Sequence, residues 1–191
     1  MIDTTLSFLE TVLNEYLATR FPGPQGHAVV ANPAADDAAG AAQIENRLVL
    51  SLVNVERESA APAGAALARA GAGYAQVQAP LYLNLSVLVS ASFRSNYKLA
   101  LQFLGAALAC FQSKPTFRPD SSPYFPPEAE KLSIELVSQT IHDVNNLWAI
   151  LGARYLPSVL YKVRMVVVQE NAMSALIPAV DSADASVGIH R

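Results

Sequence analysis

Residues 80–93 show the clearest alternation of apolar and polar side chains in the sequence. Leucine, valine, alanine or phenylalanine occupies every second position from Leu81 to Phe93, and asparagine or serine occupies most positions between them. Because successive side chains of a strand point to opposite faces of a sheet, this segment predicts a strand with one apolar and one semi-polar face. The apolar face of such a sheet must be covered, and helices are the natural cover in this chain.

Other segments supply the remaining elements of the predicted fold. β-branched and apolar runs predict further strands over 27–31, 47–56, 132–138 and 158–169. Leucine and aromatic side chains at helical spacing predict helices over 3–20, capped by Asp3, over 96–112, capped by Ser95, and in a short segment that starts with a Thr140–Asp143 capping box. The order α-β-β-β-α-β-α-β favours an α+β fold with a mixed or largely antiparallel sheet and helices packed on one face.

The domain organisation follows from length and local composition. A chain of 191 residues suits one domain, which we predict over 1–169. Alanine and glycine dominate residues 57–79, which predicts a long mobile loop, and the strand and helix patterns end near residue 170, which predicts a flexible C-terminal tail over 170–191. No signal peptide or transmembrane helix is predicted, because the sequence has no apolar span of sufficient length.

The residues that usually carry chemistry are sparse. His27, His142 and His190 are scattered, and no serine elbow accompanies them. Cys110 is the only cysteine and falls beside the apolar stripe of a helix, which predicts a buried thiol rather than a nucleophile or zinc ligand. The formal net charge of −3 provides no broad basic field for nucleic acid. We therefore predict no enzyme, no cofactor, no metal and no nucleic-acid partner.

A few cationic, aromatic and amide side chains point instead to contacts with other proteins. Arginine and tyrosine are enriched at interface hot spots, and two basic residues alternate along the last strand. The alternative interpretation is that these charges belong to the solvated face of a sheet and that the nearby Trp148 belongs to the core. The residues we predict as partner contacts are Arg154, Tyr155, Lys162, Arg164, Arg94 and Asn96.

A set of motifs spread over residues 1–169 resembles one known family. The motifs are Ile2–Leu6, Leu48–Asn54, Pro80–Leu85, Asn96-Tyr97, Phe111–Pro115, Asn146–Gly152, Tyr155–Ser158 and Tyr161–Met165. Together they are similar to the cap, or tail-terminator, proteins of phage-tail-like extracellular contractile injection systems, of the Photorhabdus virulence cassette and antifeeding prophage type. The alanine-rich segment 57–79 departs from the family pattern.

The resemblance implies a structural role with several partners. It implies a homo-hexamer whose ring closes the distal end of a particle, contacts the inner tube protein and the sheath protein, ends tube growth and anchors the terminal sheath ring. It implies no catalysis and no membrane insertion. Assembly is expected in the bacterial cytoplasm, with the subunit then at the distal end of the particle and release outside the cell left open.

Two other functions stay open at the level of the sequence. One is a tube-associated adaptor that binds a membrane or cargo instead of ending the tube. The other is a small-ligand or enzymatic domain that uses residues 57–79 as a lid over a pocket.

Overall fold

A computed structural model gives the fold of the chain as two compact units, and each is described by itself. The first unit comprises residues 1–59 and 81–168, and the second comprises residues 60–80 and 169–191. The residues that the structure describes are 1–23, 27–34, 38–58, 66–70, 73–77, 81–167 and 173–178.

The helices and strands of the first unit follow the predicted order with two additions. The helices are α1 (Ile2–Ala18), α2 (Ala38–Ile44), α3 (Tyr97–Ser113) and α4 (Ile141–Leu151). The strands, numbered together with those of the second unit, are β1 (Ala28–Val30), β2 (Arg47–Arg57), β5 (Leu81–Ser92), β6 (Thr116–Phe117), β7 (Ala129–Val137) and β8 (Ser158–Val167). The additions are α2 and the two-residue strand β6.

These strands form one six-stranded sheet in the order β1-β2-β5-β8-β7-β6. Only β1 and β2 run parallel; the other neighbours are antiparallel. The mixed, mostly antiparallel sheet with its helices confirms the predicted α+β class.

One face of the sheet, called here the core face, packs against α1 and α3. The alternate residues of β5 from Leu83 to Ala91 are buried on this face, together with leucines of α1 and small and aromatic residues of α3. Phe8 of α1 places its ring edge-on to Phe117 and Phe125, with centroids 5.2 and 5.5 Å apart. The alternation in β5 therefore fixes which face the two long helices cover.

The opposite face of the sheet, called here the outer face, carries α4 on part of its area. Leu88 of β5 lies in a cluster with Leu147 and Trp148 of α4, and Leu160 of β8 packs against that cluster. The predicted capping box is confirmed: the Thr140 hydroxyl accepts from the Asp143 amide, and the Asp143 carboxylate accepts from the Thr140 amide. Helices thus lie on both faces, with the two long ones on the core face.

The segment 32–40, predicted as a loop, contains the start of α2. This helix begins at Ala38, and Ile44 at its end packs with Val29 and Val49 on the outer face. Alanines dominate the helix, so its sequence carries no apolar stripe from which a helix could be predicted. Asp36 and Asp37 lie outside the described residues.

Two predicted helix caps are wrong, and the buried side of α3 is only partly the one that the spacing of its leucine and aromatic residues predicts, because Leu104 and Phe111 are buried. The Asp3 carboxylate accepts from the N-terminal amine of Met1 at 3.0 Å rather than capping α1. Asn96, not Ser95, caps α3, because its side-chain oxygen accepts from the Leu99 amide at 3.0 Å. The buried side of α3 runs through Phe103, Ala107, Cys110 and Phe111, while Tyr97 and Leu101 are exposed.

The second unit contains a three-stranded antiparallel sheet in the order β3-β4-β9. Its strands are β3 (Ala66–Ala70), β4 (Gly73–Val77) and β9 (Met173–Pro178). Residues 57–79, predicted as a mobile loop, therefore contain β3 and β4, and residues 170–191, predicted as a flexible tail, contain β9. The remaining parts of both segments, including His190, lie outside the described residues, and the division into a domain and a tail stays a prediction.

Candidate interaction surfaces

A cleft of about 760 Å³ lies at one end of the outer face and brings together three of the six predicted contact residues. Its walls come from the residues around α2, the end of β5 and the turn after α4. Its lining comprises Pro33, Ala34, Ala41, Ile44, Ser92, Arg94, Gly152, Ala153, Arg154, Tyr155 and Leu156.

The turn after α4 sets the position of Arg154 and Tyr155. Gly152 ends the helix with φ +65°, a conformation that glycine adopts more readily than any residue with a side chain. The chain then returns to the sheet, where the Pro157 carbonyl accepts from the Ala91 amide at 2.9 Å. The helix end and β5 are thereby tied together, and Arg94, which follows β5, comes to line the same cleft as Arg154.

Two cationic side chains line the described part of the cleft. Among the lining residues that the structure describes, Arg94 and Arg154 are the charged ones; both are exposed, and neither forms an ion pair with a described residue. Tyr155 is 63% exposed and places its ring edge-on to Trp148, with centroids 5.9 Å apart. Two exposed guanidinium groups without an ion-pair partner in the described segments, beside an exposed aromatic ring, are suited to bind carboxylates on an incoming protein surface.

Trp148 is the aromatic residue that this tyrosine contacts. The indole is buried, as its prediction as a core residue required, and its Nε1–H has no hydrogen-bond partner among the described residues. Burying an indole N–H without a partner costs stability, so this N–H lowers the stability of the cluster around Trp148.

The other basic pair lies on the outer face, on β8. Arg164 contacts two carboxylates, with Nε 4.0 Å from Glu58 and a terminal nitrogen 3.4 Å from Glu135. The Asn84 amide nitrogen donates to Glu58 at 3.0 Å, which joins β5 to the same network. Lys162 is half-buried two residues before Arg164. Five of the six predicted residues thus divide between two surfaces, and the sixth, Asn96, lies at the start of α3, which it caps.

Cys110 lies in the core, as predicted. Burial raises the pKa of its thiol to about 11, so the thiol stays protonated at neutral pH. The described residues hold no group of histidine, cysteine or carboxylate side chains arranged to bind a metal ion. None of the helices in the described segments is long and apolar enough to cross a membrane.

One wall of the cleft carries no signal in the sequence. Pro33 and Ala34 come from the segment predicted as a loop, Ala41 and Ile44 come from the residues that follow it, and small apolar residues carry no chemical signature. The sequence also gives no signal that Arg94 and Arg154 line the same cleft. The two residues are 60 positions apart, and only tertiary contacts bring them close together.

Comparison with known proteins gives a family match and similar solved structures, two of which are described here. Residues 4–182 match the family model of the Pvc16 N-terminal domain. No curated protein matches the chain in sequence. A cryo-EM structure of the anti-feeding prophage cap, the AFP tube-terminating cap, has a TM-score of 0.61 and 14% identity, with 95% of this chain and 61% of that chain covered.

A second structure has the same fold. It is the sheath/tube terminator, in the extended state, of PVC, an extracellular contractile injection system, with a TM-score of 0.59, 16% identity and coverage of 95% of this chain and 64% of that chain. The chain therefore spans less than two thirds of the length of either structure.

Proposed function

The chain belongs to the family of the Pvc16 N-terminal domain, and on that premise we propose that it is a tube-terminating cap subunit of a contractile injection system. The family match over residues 4–182 carries the proposal. The two solved structures support it, because one is a tube-terminating cap, the other is a sheath/tube terminator, and the fold match covers 95% of this chain.

We propose that the subunit acts as a homo-hexameric ring. Heterologous contacts between copies close into a ring when the rotation between neighbours fits, and a closed ring leaves no growing end. In this proposal one side of the ring matches the last layer of inner tube protein, and the other side offers no surface for a further layer. The ring also holds the terminal ring of sheath protein. The role is structural, with no bond made or broken.

We assign the cleft lined by Arg94, Arg154 and Tyr155, called here the arginine cleft, to one of these protein contacts. Two exposed guanidinium groups without carboxylate partners among the described residues favour an acidic surface on the neighbour. The chain itself has 16 acidic against 13 basic residues, so other copies of it offer such surfaces. Arg154 and Arg94 would bind carboxylates while Tyr155 packs against the neighbour's side chains.

Lys162, Arg164 and Asn96 are weaker members of the proposed interface. Arg164 already has Glu58 and Glu135 as ion-pair partners, so a neighbour must compete with an existing network. Lys162 lies on the same face and forms no ion pair within the described residues. Asn96 caps α3, so its substitution disturbs the helix as well as any contact.

The subunit would be assembled in the bacterial cytoplasm and remain at the distal end of the particle, including particles released from the cell.

Deleting the gene tests the cap role directly. We expect tubes and sheaths of irregular length in electron micrographs, and expression of the intact chain should restore a uniform length. Particles of normal, uniform length in the deletion strain would refute the cap role. Capture of a membrane or cargo protein in place of tube and sheath proteins would favour the adaptor.

Charge reversal in the cleft tests the proposed contact. Arg154→Glu should reduce ring formation, measured by light scattering of the purified protein, and should leave the fold unchanged. Lys98→Glu is the matched control, because Lys98 is exposed and lies outside the cleft. Equal loss of assembly in both variants would show that overall charge, and not the cleft, controls association.

A further inference from the structure

The outer edge of β7 is covered over only part of its length. β6 pairs with β7 at Leu132 and Ser133 alone. One further hydrogen bond follows, from the Ile134 amide to the Pro115 carbonyl at 2.8 Å. Pro115 has no N–H to donate in return, so the ladder between the two segments ends at this residue.

The next outward-facing backbone groups on β7 belong to Leu136. In an antiparallel strand the N–H and C=O of alternate residues point to the same side, so the groups of Leu136 point the same way as the amide of Ile134. Neither group has a hydrogen-bond partner on that side among the described residues. The Leu136 side chain is 49% exposed, although Leu132 and Ile134 at the preceding alternate positions are buried. As far as the described residues are concerned, the edge at Leu136 is therefore open.

A recess of about 200 Å³ lies beside this open edge. It is lined by Leu108, Phe111, Gln112, Pro115, Ile134, Leu136 and Tyr161. Tyr161 is 4% exposed, and its hydroxyl has no hydrogen-bond partner within the described part of the chain. Burial raises the pKa of this hydroxyl, so it remains a donor at neutral pH. The recess thus combines apolar walls with one polar group that lacks a partner.

We propose that the open edge of β7 binds an extended segment of another protein. The segment adds a strand antiparallel to β7 at Leu136, in line with β6, and places one aliphatic side chain in the recess. Unpaired backbone groups at a sheet edge bind an added strand, and a pocket beside the edge selects its side chains. The Tyr161 hydroxyl gains a polar partner from the same segment.

The geometry favours a free arm of a different protein over the same edge of a second copy. A second copy carries its own β6 on that edge. If two β7 strands paired about Leu136, the residues that follow β7 in each copy would have to occupy the place that β6 fills in the other copy. The two segments would therefore clash. A terminal or loop segment has no such obstruction.

Photo-crosslinking from the recess tests the proposal in the native complex. A benzoylphenylalanine is placed at Gln112, which is exposed and lines the recess, and the chain is produced in its native cells. We expect a cross-link to one short segment of a different protein, mapped by mass spectrometry. Leu136→Pro should reduce this cross-link about tenfold or more, because it removes the outward N–H on which the added strand depends and no hydrogen bond to β8. Leu136→Ala keeps that N–H and should retain most of the cross-link.

Three results would overturn the proposal: no cross-link, a cross-link to this chain itself, or equal cross-linking of the Pro and Ala variants when both are folded. If Leu136→Pro does not fold, hydrogen exchange of the unsubstituted protein decides. The Leu136 amide should exchange faster than the Ile134 amide in the isolated chain and become protected in the complex. Equal rates for Leu136 in both states would exclude an added strand. The inference does not rest on the terminator role, since these readouts report an occupant whatever the particle does.

Discussion

The core face and the outer face of the sheet use the same strands in different ways. On β5, Leu85 and Leu88 are both fully buried, yet Leu85 lies in the large cluster under α1 and α3, while Leu88 lies in a small cluster with α4. Each cluster contains one buried polar atom without a hydrogen-bond partner among the described residues, the Tyr161 hydroxyl in the first and the Trp148 indole nitrogen in the second. The second cluster also shares its face of the sheet with the charged residues of β8.

Because of this difference, the core face contributes most to the stability of the fold, whereas the outer face has side chains that a partner can reach. The large cluster has many neighbours that hold each side chain in place, so a removed side chain leaves a cavity that cannot close. The small cluster has half-buried neighbours, Val53, Val144 and Leu151 among them, that can move. The outer face and its ends are consequently where the arginine cleft and the Lys162–Arg164 pair remain accessible.

The matched pair of leucines gives the largest expected effect. Leu85→Ala should lower the free energy of unfolding by about 4 kcal/mol, in the upper part of the range for buried leucines. Urea denaturation of the purified chain measures it. A loss below about 2 kcal/mol would mean that the core face relaxes more readily than its packing indicates.

Leu88→Ala should cost less, about 2 to 3 kcal/mol, although Leu88 is equally buried. The reason is that half-buried side chains around α4 can partly fill the space. The same urea experiment measures it, with unchanged slope as the sign that both variants unfold alike. Equal losses for Leu85→Ala and Leu88→Ala would remove the distinction between the faces.

The cap of α4 is a smaller contributor to the outer face. Thr140→Ala should cost about 1 kcal/mol, the usual loss when a threonine N-cap is removed. Thermal unfolding measures it, and Thr140→Ser, which keeps the hydroxyl, is the matched control. Retained stability in the alanine variant would mean that packing on Leu88 alone holds the helix.

The same cap predicts a pH dependence. Hydrogen bonds from the side chain and amide of Thr140 lower the pKa of the Asp143 carboxyl below its usual 3.8. A carboxyl whose pKa is lower in the folded than in the unfolded state stabilises the fold at a pH above its usual pKa. This contribution is lost as the pH falls through the pKa of the folded state. The stability difference between the wild type and Asp143→Asn should therefore be present near neutral pH and shrink below about pH 3.8. If this stability difference did not change with pH, the effect of the substitution would come from the shape of the side chain and not from its charge.

Arg154→Glu should have the smallest effect on the fold. Exposed charges without ion-pair partners change the free energy of unfolding by less than about 0.5 kcal/mol. Urea denaturation of the variant beside Lys98→Glu checks this. A loss of several kcal/mol in Arg154→Glu would show that the cleft belongs to the folded core and would remove it from the proposed interface.

Local patterns in the sequence were sufficient for much of the first unit. Strict alternation from Leu81 to Phe93 gave β5 within one residue at each end, and the Thr140–Asp143 box located the start of α4. These features depend on neighbours in sequence, so they can be recognised without the fold. α2 and the β3–β4 hairpin were missed because alanine and glycine lack the side chains on which such patterns depend.

The candidate sites were predictable only in part. Residue type alone selected Arg94, Arg154 and Tyr155, but not their meeting in one cleft, nor the carboxylates that hold Arg164. Leu136 continued the apolar alternation of β7 and gave no sign of an open edge, because exposure there depends on where β6 stops.

The sequence by itself determined the five longest-patterned strands of the first unit, β1, β2, β5, β7 and β8, together with the two long helices and the face that they cover, since periodicity dictates which side chains share a side. The tertiary structure decided which distant residues meet and which edge stays open. Those outcomes depend on strand order and on where each connection ends, and neither is encoded in any short run of residues.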